Sequence, residues 1–228
     1  DEIRDAIRRE YYTPGGLCAA ATQTGNAISL DFGLAPSFAR EKITASLRAL
    51  LKAANMHLKT GFLGTPSLCR ALSDNGANED AYTLFLNEDL PSWLYEVNMG
   101  ATTIWERWNS VNPDGKISGI GMNSMNHYAY GAVFEWVYEN VCGLNPVAEC
   151  PGYKRAVLRP QPDKRLGAAK AMVNTAAGYY ESGWKYDGDA VVYTFTVPFD
   201  AEAEVILTGR DGETVRKTLC AGTHTITL

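Results

Sequence analysis

The run Ser37-Phe-Ala-Arg-Glu-Lys-Ile-Thr-Ala-Ser-Leu-Arg-Ala-Leu-Leu-Lys-Ala-Ala-Asn-Met-His-Leu58 decides the fold of the first part of the chain. Its apolar residues fall largely three or four positions apart, which places them on one face of an α-helix. Pro36-Ser37 is typical of a helix start, and Lys59-Thr60-Gly61 is predicted to stop the helix. The same character recurs in three shorter runs, at residues 66–72, 78–86 and 126–141. The chain is therefore predicted to be helical up to about Gly143.

The pattern changes beyond Pro151-Gly152. Residues 157–162 are rich in proline and are predicted to form an extended linker. Apolar and polar residues then alternate with a period of two, which is typical of strands with one buried face. The alternating runs are residues 168–175, 178–184, 190–197, 203–207 and 223–228. Hairpin turns are expected at Tyr186-Asp-Gly-Asp189 and Arg210-Asp-Gly-Glu213. The tail is therefore predicted to be an antiparallel β-sandwich.

A helical block followed by a strand-only block indicates two domains. We place residues 1–150 in the helical domain and residues 151–228 in the β-sandwich domain. A chain of 228 residues is long enough to give both of them a core. Long connections within a compact helical domain are usually functional, so residues 98–122 are the first place to search for a site.

The composition excludes several function classes. A net charge of −5 gives no attraction to nucleic acid or to an anionic membrane. No apolar run approaches the roughly 20 residues that span a bilayer. The five cysteines form no C-x-x-C pair, and no His/carboxylate cluster or strand-to-helix phosphate loop occurs. We therefore expect no metal and no cofactor, and neither nucleic acid nor membrane as a partner.

The segment Gly100-Ala-Thr-Thr-Ile-Trp-Glu-Arg-Trp108 carries the strongest functional signal. A carboxylate at Glu106 can transfer protons, and the neighbouring indoles Trp105 and Trp108 can stack on the C–H face of a sugar. In Met122-Asn-Ser-Met-Asn-His-Tyr128, the amide of Asn123 and the imidazole of His127 can bind hydroxyl groups. The residues alone leave a structural interpretation open, in which Glu106 pairs with Arg107, the indoles are core residues and His127 caps a helix. Glu96 is the other carboxylate close in sequence to this motif.

Further motifs occur in a fixed order along the chain. Gln23-Thr24-Gly25, His57-Leu-Lys-Thr-Gly-Phe-Leu-Gly-Thr-Pro66 and Pro91-Ser-Trp93 precede the two segments described above. Together they resemble the C-terminal part of the catalytic domain of bacterial α-L-rhamnosidases, glycoside hydrolase family 78. The resemblance implies an α-then-β multidomain architecture, in which the C-terminal portion of an (α/α)6 six-hairpin barrel is followed by an antiparallel β-sandwich.

The same resemblance implies a function. The family hydrolyses terminal α-L-rhamnosyl linkages with inversion, and Glu106 matches its general base. His127 matches a histidine that contacts the sugar. We expect Trp105, Trp108, Trp93 and Asn123 to complete the substrate-binding surface, with Glu106, Trp105 and His127 on one concave face. The expected ligands are rhamnose-containing glycosides or polysaccharides.

One part of the family pattern is missing from this sequence. An inverting site needs a second carboxyl group as general acid, about 6.5–9.5 Å from the base. In the family that acid lies in an Arg-Asp-Glu-Arg-like stretch, which does not occur here, and the predicted helices are too few for a whole barrel. We therefore expect a C-terminal fragment that is inactive by itself and that needs the N-terminal part of the same polypeptide.

Two alternatives remain open at this stage. A six-hairpin glycosidase could act on another sugar, because a partial barrel does not show the pocket that selects rhamnose. Alternatively, the chain could be a carbohydrate-binding module, in which the aromatic residues and His127 bind a sugar without catalysis. A coding region that continues upstream into the acid-bearing stretch would favour the enzyme.

Overall fold

The computed structural model describes residues 1–119, 121–209 and 211–228. Arg210, which belongs to one of the predicted turns, lies outside the described residues. The chain divides into two compact units, Asp1–Val133 and Phe134–Leu228. Within the described ranges no helix is long and apolar enough to cross a membrane.

The first unit is helical. Its helices are α1 Glu2–Tyr11, α2 Gln23–Asp31, α3 Arg40–Ala53, α4 Thr65–Ser73, α5 Asn78–Phe85 and α6 Trp93–Asn98, with 3₁₀ turns at Ser37–Ala39 and Ala129–Ala132. Helix α2 packs against α3 and α4, and α4 packs against α5. The apolar faces meet in a core that includes Leu30, Ile43, Leu47, Leu51, Leu68, Leu72, Tyr82 and Leu84. The described helices do not close a barrel.

Helix α3 ends earlier than the sequence predicts. Its last residue is Ala53 rather than Leu58, and Lys59-Thr60-Gly61 does not stop it. Asn55 and Met56 adopt left-handed backbone angles, with φ of 51° and 56°. The Met56 N–H bonds back to the Leu51 carbonyl at 2.8 Å, which closes the helix in the manner of a Schellman cap.

The predicted helix over residues 126–141 is a succession of short pieces. The 3₁₀ turn Ala129–Ala132 is followed by α7 Val133–Trp136 and by a π-helical turn Val137–Val141. His127 therefore precedes the helical segment instead of starting it. The Ser124 side chain accepts the Asn126 N–H at 3.2 Å, and such local bonds compete with helix formation.

The second unit contains two four-stranded sheets. The strands are β1 Leu144–Pro146, β2 Arg155–Leu158, β3 Ala168–Thr175, β4 Gly178–Asp187, β5 Ala190–Val197, β6 Glu202–Thr208, β7 Thr214–Leu219 and β8 Gly222–Thr227. The sheet orders are β1-β2-β6-β7 and β3-β4-β5-β8. Alternate residues are buried, as Ala203, Val205 and Leu207 show in β6.

The predicted antiparallel sandwich is confirmed, apart from one pair of strands. Strand β2, Arg155–Leu158, includes the first two residues of the predicted linker, and it runs parallel to β6. Because the chain builds β3, β4 and β5 of the other sheet before it returns as β6, the connection is long enough for parallel pairing. The other pairs are antiparallel.

The division between the two units falls after Val133, whereas the sequence analysis placed the domain boundary at residue 150. Hydrogen bonds within the second unit explain the difference. The Trp184 indole N–H donates to the Val141 carbonyl at 2.7 Å, and the Ser182 hydroxyl donates to the Cys142 carbonyl. These buried bonds tie the end of the helical segment to β4, so that segment packs with the strands.

Candidate active site

The segments that carry Glu106 and His127 lie side by side in the first unit. The Glu106 N–H donates to the Ser124 carbonyl at 2.9 Å, and the His127 N–H donates to the Ile104 carbonyl at 2.8 Å. Neither segment is helical at these positions. Two backbone bonds therefore join stretches that are about 20 positions apart in the sequence, and they place the two candidate segments next to each other.

The Glu106 carboxylate is held by one oxygen. Its Oε2 accepts the Ser124 backbone N–H at 2.7 Å, the short distance expected for a bond to a charged acceptor. Among the described residues Oε1 has no hydrogen-bond partner, and Glu106 forms no ion pair with Arg107. The carboxylate is thus fixed at one end, while its other oxygen can accept a proton.

Glu106 borders an open depression with a volume of about 350 Å³. The lining residues are Gly61, Phe62, Glu106, Arg107, Trp108, Asn109 and Tyr130. The Trp108 and Tyr130 rings stack with centroids 3.8 Å apart and planes 11° apart. Phe62 continues this aromatic wall, because its ring lies 5.3 Å from that of Tyr130. The depression therefore combines one carboxylate with aromatic surface.

His127 is clamped between two aromatic rings. Its imidazole stacks on Phe62 at 4.9 Å and on Tyr128 at 5.1 Å, with interplanar angles of 20° and 17°. The Ala129 N–H points to Nδ1 at 3.3 Å, so Nδ1 acts as an acceptor. In the neutral ring the proton then sits on Nε2, which can donate to a hydroxyl oxygen. Phe62 links the imidazole to the wall of the depression.

Trp93 and Trp105 do not present faces for a sugar, contrary to the sequence-based expectation. They are only 5% and 3% exposed. The Trp93 indole N–H donates to the Tyr130 carbonyl at 2.9 Å, and its ring meets that of Trp108 edge-on at 5.3 Å. Trp93 therefore packs against the aromatic wall. Trp108 itself borders the depression.

Asn123 also differs from its predicted binding function. Its Oδ1 accepts from the Ser110 hydroxyl at 2.5 Å, and its Nδ2 donates to the Ser110 carbonyl at 3.2 Å. Both ends of the amide are engaged with one residue of the Glu106 loop. Asn123 therefore shapes the loop.

Glu96 is buried beneath the Glu106 segment and is 2% exposed. Its Oε2 accepts the Trp105 backbone N–H at 3.2 Å, and its Oε1 is buried without a partner among the described residues. Burial raises the pKa of this carboxyl group to about 7, against the opposing effect of the Trp105 N–H. Such a covered group cannot reach a glycosidic oxygen, which removes Glu96 as a candidate general acid.

Sequence reasoning missed Phe62 and Tyr130 as site residues. Both lie inside or just after motifs that drew attention for other residues, and neither has a chemical group that marks it as functional. The sequence feature that could have identified them is their position, because Phe62 follows Gly61 and Tyr130 lies three residues after His127. Across the described ranges no group of three or more His, Cys, Asp or Glu side chains could hold a metal ion.

Two family models match the chain. The bacterial alpha-L-rhamnosidase 6 hairpin glycosidase domain matches residues 1–141, and the bacterial alpha-L-rhamnosidase C-terminal domain matches residues 143–219. An alpha-L-rhamnosidase of Alteromonas sp. (strain LOR) is 40% identical over 206 residues, which are 90% of this chain and 22% of that protein. An alpha-L-rhamnosidase of Streptomyces avermitilis is 39% identical over 203 residues, which are 89% of this chain and 20% of that protein.

Solved structures agree with these matches. The crystal structure of Streptomyces avermitilis alpha-L-rhamnosidase complexed with L-rhamnose superposes with a TM-score of 0.91 at 35% identity, over 99% of this chain and 23% of that one. The native enzyme from Aspergillus terreus gives a TM-score of 0.91 at 33% identity, over 100% of this chain and 26% of that one. The chain thus spans about a fifth of the length of the curated relatives that it matches.

Proposed function

The chain belongs to the bacterial α-L-rhamnosidase family, and on that premise we propose that it carries the general-base half of an inverting glycosidase site. The complete site hydrolyses terminal α-L-rhamnosyl linkages in glycosides or polysaccharides. The observation that supports this most directly is the Glu106 carboxylate, which is fixed through Oε2 and, among the described residues, unpartnered at Oε1 beside an aromatic depression.

In the proposed mechanism Glu106 activates water. Oε1 accepts a proton from a water molecule while the water oxygen bonds to the anomeric carbon. The bond from that carbon to the leaving oxygen breaks on the opposite face of the ring, so the configuration inverts. The leaving oxygen takes a proton from the general acid. The Ser124 N–H keeps the carboxylate oriented through this step, because it binds the other oxygen.

The general acid is proposed to lie outside these 228 residues. An inverting site holds its two carboxyl groups about 6.5–9.5 Å apart with water between them. Glu96, the nearest candidate in sequence, is buried under Trp105. Since the chain spans about a fifth of the length of its relatives, the remaining barrel of a longer polypeptide is the proposed source.

Substrate binding is proposed to use two kinds of contact. The Nε2–H of His127 donates to a sugar hydroxyl, because Nδ1 is already engaged by the Ala129 N–H. The rings of Trp108 and Phe62 offer apolar surface to the C–H face and to the methyl group of rhamnose, and the buried ring of Tyr130 supports them.

The test compares wild type, Glu106→Gln and Glu41→Gln in the complete polypeptide with an aryl α-L-rhamnoside as substrate. The amide of the Glu106→Gln variant cannot accept the water proton, so we expect kcat to fall at least about 100-fold. Glu41 is exposed on α3 and serves as the matched control, with kcat within about threefold of wild type. Proton NMR of the first product should show the β-anomer.

Other outcomes favour the alternatives. Hydrolysis of a different aryl glycoside in preference to the rhamnoside would indicate a six-hairpin glycosidase for another sugar. Rhamnose binding without turnover by the complete polypeptide would indicate a carbohydrate-binding protein. Initial release of the α-anomer would contradict the inverting mechanism.

A further inference from the structure

Helix α6 supports both the Glu106 segment and the aromatic wall of the proposed site. The helix begins after Ser92, whose hydroxyl accepts the Tyr95 N–H at 3.0 Å. Its side chains then reach three separate stretches of backbone. Trp93 donates to the Tyr130 carbonyl at 2.9 Å, Tyr95 donates to the Val111 carbonyl at 2.7 Å, and Glu96 accepts from the Trp105 N–H at 3.2 Å.

The Glu96 bond reaches the residue directly before Glu106. The chain leaves α6, turns at Gly100 with φ of 84°, and returns over the same helix. The Ala101 N–H donates to the Glu96 backbone carbonyl at 3.0 Å, and the Trp105 N–H donates to the Glu96 side chain. Glu96 therefore binds the returning loop at two points, Ala101 and Trp105.

A carboxyl group is an unusual choice for this buried position. Burying an ionisable group costs free energy unless it is fully bonded, yet Glu96 Oε1 has no partner among the described residues. Burial raises the pKa of this group to about 7, so near neutral pH much of it is protonated. The charge of Glu96 also acts on Tyr130, where it adds to the effect of burial and raises the pKa of the phenol. An apolar side chain of the same size would leave the buried Trp105 N–H without its acceptor.

We propose that Glu96 is a positioning residue for Glu106. Its Oε2 accepts the Trp105 N–H, and the Ser124 N–H donates to the Glu106 carboxylate. The position of Oε1 relative to the attacking water then depends on both bonds. This inference rests on the proposed function of Glu106 as general base.

The test uses three variants of the complete polypeptide on an aryl α-L-rhamnoside. Glu96→Leu removes the acceptor, so we expect kcat to fall about 10- to 100-fold with KM within about threefold, because displacement of a catalytic group chiefly affects the chemical step. Glu96→Gln retains a carbonyl acceptor and should keep kcat within about threefold. Ile43→Val, in the buried core of α3, controls for general loss of stability and should also keep kcat within about threefold.

Hydrogen exchange of the Trp105 amide provides a readout that does not depend on activity. In Glu96→Leu this N–H should exchange at least about tenfold faster than in wild type, whereas Glu96→Gln should preserve its protection. This measurement is made on the complete polypeptide. Unchanged Trp105 protection in the leucine variant would overturn the inference even if the polypeptide were inactive on rhamnosides.

Other results separate the two proposals. An active wild type whose leucine variant keeps kcat within about threefold overturns the positioning function and leaves the proposed function standing. Equal losses of kcat in the glutamine and leucine variants also overturn it, because the acceptor alone would then not explain the effect. If the leucine variant does not fold, Glu96→Asp withdraws the carboxyl group by one methylene. The same loss of kcat is expected, and full activity overturns the inference.

Discussion

The buried carboxyl group of Glu96 makes a strong prediction about stability and pH. Its pKa rises from the ordinary 4.5 to about 7 in the folded chain, mainly through burial. The folded state therefore binds this proton more tightly than the unfolded state. The stabilisation from Glu96 is complete below the unfolded pKa of 4.5 and is lost as pH rises through about 7.

The magnitude follows from the size of the shift. A tenfold change in an equilibrium corresponds to about 1.4 kcal/mol, so the rise of the pKa from 4.5 to about 7 corresponds to a loss of about 3 kcal/mol between about pH 4.5 and pH 8. Glu96→Gln carries no titrating group at this position and should not show that loss. The variant should therefore gain about 3 kcal/mol relative to wild type between these two pH values.

The assay is urea unfolding of the 228-residue chain at both pH values, followed by amide exchange of peptides that cover residues 93–106. Those peptides report on the first unit, where Glu96 lies. The control is Glu41→Gln, an exposed residue of α3, whose effect should be the same at both pH values. If wild type and Glu96→Gln respond to pH in parallel within about 0.5 kcal/mol, the buried, hard-to-ionise state of Glu96 is refuted.

Three further predictions concern the site and the fold. His127→Ala in the complete polypeptide should lower kcat/KM for an aryl α-L-rhamnoside about tenfold through loss of one hydrogen bond, whereas His224→Ala in β8 should leave it unchanged; equal effects would contradict the binding function of His127. The 228-residue chain alone should show less than about 1% of the kcat of the complete polypeptide, because the proposed general acid lies outside it, and turnover at a comparable rate would place the acid within these residues. Gly143→Ala should reduce the free energy of unfolding of the second unit by about 2 kcal/mol or more, because an added Cβ would lie 2.0 Å from the Pro160 nitrogen and Gly143 has φ of 69°. Urea unfolding measures this change, and an unchanged midpoint would contradict the prediction.

Where local pattern and tertiary packing agree, the sequence predicted the fold well. The alternating run 190–197 is β5 to the residue, since its period of two matches one buried face. The helix at residues 37–58 was overextended, because the left-handed angles of Asn55 and Met56 leave no mark in apolar periodicity. Strand β7 was missed because Lys217 interrupts the alternation between Val215 and Leu219, so the strand depends on its pairing with β6.

The candidate site, too, was predicted only where the local sequence carries the information. The sequence identified Glu106 and His127, whose chemistry is legible from residue type, and the structure brings both segments together. It did not separate exposed from buried indoles, because the burial of Trp93 and Trp105 depends on how α6 packs under the loop. The aromatic partners Phe62 and Tyr130 come from different elements, and only the folded chain stacks them beside His127 and Trp108.

The central claim, that Glu106 takes a proton from the attacking water, is tested most directly by chemical rescue in the complete polypeptide. Azide attacks without losing a proton, so it does not need the base. We predict that Glu106→Ala lowers kcat on an aryl α-L-rhamnoside at least about 100-fold, and that azide restores turnover and yields β-L-rhamnosyl azide. A variant that keeps kcat within about threefold of wild type, or one that azide does not restore, would contradict the account.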